Sequence, residues 1–170
     1  MKFALRDFRH EEFETLWRID QQCFAPGISY SRLELSTYLR RPGAFALVAD
    51  SSEVGNAGTL NGNPAEDRSS AITVGFIVAE TGSRGIGHVI TIDVIPQART
   101  RGIGSQLLQA SEDRLRAAHC HALILESAVD NKAALSFYKR HRYTVIGTLP
   151  RYYSNGVDAF VLKKDLLSPP

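Results

Sequence analysis

Residues 88–112, HVITIDVIPQARTRGIGSQLLQASE, leave a folding chain few options. A β-branched apolar run, His88 to Val94, gives way to an amphipathic helix with Ile103, Leu107, Leu108, Ser111, Leu115 and Ala118 on one face. Between them stands Arg99-Thr100-Arg101-Gly102-Ile103-Gly104-Ser105. The first turn of a helix exposes backbone N–H groups that have no intrahelical partner, at the positive end of the helix dipole. Gly102 and Gly104 let an anion approach that backbone, and Arg99 and Arg101 add charge beside it. The pattern predicts a strand–turn–helix joint that holds a phosphate or pyrophosphate. Arg84-Gly85-Ile86-Gly87 repeats the letters without the context: it falls between two strand-like runs and reads as a hairpin loop.

The other elements arrange themselves around this joint. Ala122 to Ala128, ALILESA, is a buried-type strand carrying one acid, Glu126. Strand, helix and strand make a βαβ crossover, so His88–Val94 and Ala122–Ala128 are expected to be parallel. Further strands are expected at Phe3–Arg6, Ala44–Ala49, Ile72–Glu80, Tyr143–Leu149 and Val157–Lys163. Ile72–Glu80 and His88–Val94 read as an antiparallel hairpin. Helices are expected at His10–Gln22, from Ser31 (a capping box with Glu34), at 103–118, and from Asn131. Residues 50–70, polar and rich in Gly, Asn and Ser, read as a long loop. The sum is one α+β domain over 1–166, a mixed sheet between helical layers, with 167–170 as a frayed tail.

Composition excludes several classes. A net charge of +2 in 170 residues gives no electrostatic argument for nucleic acid or an anionic membrane. No window is apolar enough for a membrane span, and MKFALRDFRHEEF does not read as a signal peptide. Cys23 and Cys120 read as reduced thiols of a cytoplasmic protein, with a single disulfide as the alternative. His119-Cys120-His121 lacks a second ligand pair and has adjacent side chains pointing apart, so no metal site is expected.

With these elements in place, the chain resembles the GCN5-related N-acetyltransferase (GNAT) superfamily, and within it the ribosomal-protein N-terminal (alanine) acetyltransferases. The resemblance runs from about Phe3 to Lys164. It rests on Arg99-x-x-Gly102-x-Gly104, on the helix from Leu107-Leu108 to Glu112, and on Asn131-x-x-Ala134-x-x-Phe137-Tyr138 with Tyr143 after it. It implies α/β/α layers around a mostly antiparallel mixed sheet, with a central parallel strand pair that splays apart and about four flanking helices. It implies acetyl-CoA as donor. Its pyrophosphate would lie on Arg99, Thr100, Arg101, Gly102, Ile103, Gly104 and Ser105, and its pantetheine along Ile92, Asp93 and Val94. Asn131, Ala134, Phe137 and Tyr138 would flank the pantetheine arm and thiol.

The resemblance also implies Glu126 as general base and Tyr138 as general acid, at the group's spacing from Asn131. Each residue has an ordinary reading too: Glu126 as a strand-edge acid, Tyr138 as a core aromatic, Asn131 as a helix N-cap. The implied acceptor is a protein or peptide N-terminus, a ribosomal protein among the candidates, with lysine and small amines as variants. Phe24, Pro26 and Tyr30 between the first two helices, and Tyr152 and Tyr153 between the last two strands, are the expected acceptor groove. Phe24-Ala25-Pro26-Gly27-Ile28-Ser29-Tyr30 departs from the tighter Phe-Pro-x-x-x-Tyr spacing of some members. An N-terminal amine with a pKa of about 7.7–8.0 is roughly a tenth neutral at pH 7, whereas a lysine at about 10.4 is neutral less than about one time in a thousand. A non-catalytic acyl-CoA-responsive module and a nicotinamide-dependent oxidoreductase are the readings from other classes. Against the latter, Leu107 stands where a dinucleotide fold wants its third glycine. The assembly is expected to be a monomer or a homodimer.

Overall fold

The computed structural model describes residues 2–52 and 71–167. In chain order the elements are β1 (Phe3–Asp7), α1 (Phe13–Cys23), α2 (Arg32–Leu39), β2 (Ala44–Ser51), β3 (Ile72–Thr81), β4 (Ile86–Val94), α3 (Ile103–Ala117), β5 (Ala122–Ala128), α4 (Lys132–Arg140), β6 (Thr144–Leu149) and β7 (Ala159–Asp165). The seven strands form one sheet in the order β1-β2-β3-β4-β5-β7-β6. Every neighbouring pair is antiparallel except β4 and β5, which are parallel as the crossover requires.

That parallel contact is short. Its register covers Ile86↔Ala122, Gly87↔Leu123 and His88↔Ile124 and then stops, although β4 continues to Val94 and β5 to Ala128. The cause sits on the other edge of β4. Val78 faces Thr91 while Ala79 faces Val89, so Ile90 is an extra residue in the ladder. Such a bulge bends and twists the strand that carries it. From Ile90 onward β4 follows β3 and leaves β5, and a V-shaped opening results.

Both faces of the sheet are covered. On β3, Phe76 and Val78 pack with Leu16, Ile19 and Leu35 of α1 and α2. Val74, Ile77 and Ala79 belong to the opposite core, with Leu107, Leu108 and Leu115 of α3 and Tyr138 of α4. A strand buried on both sides loses the alternation of polar and apolar residues, and β3 reads accordingly as a continuous apolar run. Ser31 caps α2 as a capping box: its Oγ accepts from Glu34 N at 3.2 Å, and Ser31 N donates to Glu34 Oε2 at 2.8 Å.

Glu112 explains part of the family motif. It is 1% exposed on the inner face of α3. It accepts from Tyr143 Oη at 2.9 Å and from Lys164 Nζ at 2.6 Å, so α3, the chain after α4, and β7 are tied at one buried carboxylate. Tyr143 itself lies before β6, not in it.

Other boundaries move as well. His10–Glu12 is a 3-10 turn ahead of α1, β4 starts at Ile86, and β7 at Ala159. Ala118 is an exposed C-cap and not part of the apolar face. Asp50 and Ser51, expected in the long loop, are the end of β2, where Asp50 pairs with Ala4 and Thr73 and binds Arg6 at 2.6 Å. The rest of that loop, 53–70, and the tail at 168–170 lie outside the described residues. Cys23 and Cys120 are free thiols. Among the described residues no helix is long and apolar enough to cross a membrane.

Candidate active site

The V between β4 and β5 opens into a cavity of about 680 Å³. One end of it is the start of α3. Gly102 is the N-cap with φ +82°, a left-handed conformation that costs glycine little. A Cβ built on Gly102 would project into open space, with nothing within 4 Å. Gln106 N makes the helix's first bond, to Gly102 O at 3.0 Å, so the N–H groups of Ile103, Gly104 and Ser105 belong to the unpaired first turn. These are the donors and the empty space that a pyrophosphate requires. The Ile103 side chain is in the core and only its backbone serves the turn.

Arg99, Thr100, Gly102, Gly104 and Ser105 line the cavity, and the exposed Arg101 does not. Arg99 Nε donates to Val94 O at 2.9 Å, and Ser105 Oγ lies 2.9 Å from His141 Nε2. Asn131, Ala134 and Phe137 face the same space. Asn131 is also the N-cap of α4, its Oδ1 accepting from Ala134 N at 3.1 Å. Ile92, Asp93 and Val94 form the wall that β4 presents after it leaves β5.

Glu126 and Tyr138 line this cavity from β5 and α4. Glu126 is half-buried, and its Oε2 lies 2.6 Å from His88 Nε2. Ile124 is the register partner of His88, and Glu126 is the next residue on the same strand face. Tyr138 is buried, its ring edge-on to Phe137 and Tyr143. Burial holds its phenol well above the ordinary tyrosine range, with the charges of Asp93 and Tyr153 acting in the same direction. The proton is therefore on the oxygen at neutral pH, as an acid requires.

Behind this pair are two carboxyls that the sequence left unremarked as titrating groups. Asp20 Oδ2 accepts from Tyr30 N at 2.8 Å, and Asp93 Oδ1 accepts from Thr91 Oγ1 at 2.5 Å. Asp20 Oδ1 and Asp93 Oδ2 are buried without a partner. Burial pushes Asp20 up to about 6 and raises Asp93 well above the usual carboxylate range, the charge of Asp20 adding to the latter. Burial likewise pushes the Cys23 thiol up to about 12, and its Sγ donates to Val94 O at 3.4 Å.

The two expected acceptor loops meet. Ser154 N and Oγ both donate to Gly27 O, at 3.2 and 3.0 Å. Gly27 has φ +89°, and a Cβ there would stand 2.8 Å from Asn155 Cβ, so the clasp needs glycine. Phe24, Ile28, Tyr30 and Tyr153 line the cavity. Tyr30 is anchored by donating its hydroxyl to Ile90 O at 3.2 Å, at the bulge. Pro26 and Tyr152 are outside the lining: Pro26 is exposed, and Tyr152, 45% exposed, packs edge-on against Tyr153 at 5.0 Å. Missed in the sequence were Cys23 and Ile28 in the lining, and His88 as the partner of Glu126. The first two carry no signal beyond proximity to Phe24. His88 was visible as a lone imidazole opening an apolar strand, but its partner depends on register.

Residues 9–143 match the model of the acetyltransferase (GNAT) family. The N-alpha-acetyltransferase 30 of Schizosaccharomyces pombe is 39% identical over 74 residues, 44% of this chain and 49% of that protein. The chain spans about half the length of the curated relatives it matches. Among solved structures, the ribosomal-protein-S18-alanine N-acetyltransferase from Escherichia coli superposes with a TM-score of 0.76 at 17% identity, over 99% of this chain and 97% of the other. The NatC complex bound to Gag peptide and CoA gives a TM-score of 0.75 at 24% identity, over 97% and 99%. At these identities the structural likeness speaks for the fold, whereas the family model covers most of the sequence: the chain belongs to the acetyltransferase (GNAT) family.

Proposed function

We propose that this chain transfers the acetyl group of acetyl-CoA to a protein N-terminal α-amine. The observation that carries the reading is that one cleft has an anion-binding helix start at one end and two clasped, tyrosine-bearing loops at the other. Glu126 and Tyr138 stand along it. The start of α3 and the β4 wall would hold the donor, which supplies an activated acyl group. A relative named as an N-alpha-acetyltransferase, and a structural neighbour bound to a peptide and CoA, support the choice of substrates.

The residues divide the proton work. The acceptor ammonium gives one proton to Glu126, and the electron pair stays on nitrogen and forms the C–N bond. The C–S bond breaks with its electrons on sulfur, and Tyr138 gives sulfur a proton. The second proton that nitrogen loses restores Tyr138, and the one on Glu126 passes to solvent. An α-amine, about a tenth neutral at pH 7, asks less of the base than a lysine does.

Two peptides test the choice of acceptor, one with a free N-terminus and blocked lysines, the other with the reverse. With purified protein and acetyl-CoA, mass spectrometry should find acetyl on the first alone. Acetyl on the second alone would make the chain a lysine acetyltransferase. Reaction with neither, while acetyl-CoA binds, would move the reading to small amines or to an acyl-CoA sensor. Peptides beginning as mature ribosomal proteins begin then test that class of acceptor.

A further inference from the structure

We propose that His141 is a positioning residue for the acetyl donor: its Nε2–H holds the Ser105 oxygen, so that the serine's own hydrogen turns to a phosphate of acetyl-CoA. The inference rests on the phosphate site proposed at the start of α3. Ser105 is the third residue of α3 and lines the cavity. His141, the C-cap of α4, does not line it. The two meet at 2.9 Å between Ser105 Oγ and His141 Nε2, so the imidazole backs the serine from the protein side. At that separation one hydrogen lies between the atoms, and it belongs either to the oxygen or to the nitrogen.

That choice decides what the serine offers the cavity. If Oγ–H donates to Nε2, the hydroxyl's only hydrogen is spent, and lone pairs are left to face an anion. If Nε2–H donates to Oγ, the hydroxyl hydrogen is free for a phosphate oxygen, beside the unpaired N–H groups of Ile103, Gly104 and Ser105. Burial holds the imidazole below its ordinary range, against the pull of Glu112 and with Lys164 and Arg140 acting in the same direction as burial. The ring is therefore neutral above pH 7, with one N–H that either nitrogen can carry, and a bound anion selects the Nε2–H form. The ring's place is fixed independently of the serine. The His141 backbone N–H donates to Phe137 O and Tyr138 O at 3.2 and 3.0 Å, and its ring centroid lies 4.6 Å from that of Phe137. The Phe137 ring in turn packs on the first turn of α3, 3.6 Å from where a Cβ of Gly104 would stand. The end of α4 thus holds the imidazole in register with the helix start that meets the phosphates.

The test reads Kd by calorimetry for two probes: acetyl-CoA, and acetyl-pantetheine, which has the same thioester arm and no phosphate. S105A removes the hydroxyl, H141F removes the ring nitrogens without leaving a void, and H141Q keeps an N–H. S105A and H141F should each raise Kd for acetyl-CoA about 5- to 10-fold, the scale of one hydrogen bond to a charged oxygen. H141Q should stay within about twofold of wild type, and acetyl-pantetheine should bind all three variants within about twofold of wild type. On an S105A background, H141F should cost less than about twofold more, since a positioning residue has nothing left to position. Acetyl-CoA binding to H141F as tight as to wild type, or tighter, would show that the imidazole takes the hydroxyl's hydrogen, and would overturn the inference. So would a loss in H141Q as large as in H141F, an equal loss for acetyl-pantetheine, or losses that multiply in the double variant. Failure of wild type to bind acetyl-CoA would remove the donor site itself.

Discussion

Two side chains carry the chemistry proposed for the cleft, and each can be tested alone. Glu126→Gln keeps shape and hydrogen-bonding capacity but removes the base, and kcat should fall about 100-fold. Tyr138→Phe removes only the hydroxyl of a ring packed among Phe137 and Tyr143, so kcat should fall about 10- to 100-fold while KM for acetyl-CoA stays within about twofold. Steady-state kinetics on both variants checks this. Asp20 gives a different kind of prediction. Its carboxyl, pushed up to about 6, binds a proton more tightly in the folded protein than in the unfolded chain. The stability it contributes is complete below about pH 4 and is lost as pH rises through 6, on the order of 2–3 kcal/mol in all. Glu12 runs the opposite way, because the Arg6 guanidinium holds it low. The comparison to make is therefore between wild type and D20N: the wild-type thermal midpoint should lose ground to that of D20N from pH 4 to 6.

Legibility at this scale followed locality. Glu126, Asn131, Phe137 and Tyr138, named through the family resemblance, lie within one strand–helix unit and line one cleft. Pro26, Arg101 and Tyr152 failed to reach it because a loop residue's direction depends on φ, ψ and on what the loop packs against, which spacing does not encode. The Glu126 partner was invisible for a related reason: it required the β4–β5 register, and apolar runs such as HVITIDV and ALILESA can pair in several.

Among the elements, α3 carries most of the proposed donor site. Its N-terminus is where the donor's phosphates are proposed to bind, and its inner face is anchored by Leu107, Leu108 and the buried Glu112. Gly102→Ala places a Cβ on a residue at φ +82°, which should cost about 1 kcal/mol of stability. It also puts a methyl group in the open space where the donor's phosphates are proposed to sit, so KM for acetyl-CoA should rise about 10-fold. Gly85→Ala is the control. It too has positive φ, at +71°, and its Cβ would meet the His121 ring at 3.0 Å. It should lower the melting temperature and leave KM unchanged, because no helix follows Arg84-Gly85-Ile86-Gly87: Ile86 and Gly87 are already β4. The periodicity of α3 and the capping box of α2 were readable because both are rules about neighbours three and four residues apart. The end of β2 was not, since the polar Asp50 owes its place in a strand to Arg6, far away in sequence.

For the molecule as a whole, one extra residue at Ile90 parts the two central strands, and two clasped loops bound the space on the side proposed for the acceptor. The parallel pair was legible from the crossover, but the extent of the splay was not, because a bulge leaves no mark in the alternation of so short and mostly apolar a strand. Donor and acceptor are proposed to meet in this single cleft. A peptide joined through its N-terminal nitrogen to coenzyme A tests it, with backbone hydrogen exchange as the readout. One equivalent should bind and protect residues 99–105 together with 24–30 and 152–154. Protection of the helix start without the loops, or of 84–87 in its place, would mean that donor and acceptor do not share this cleft.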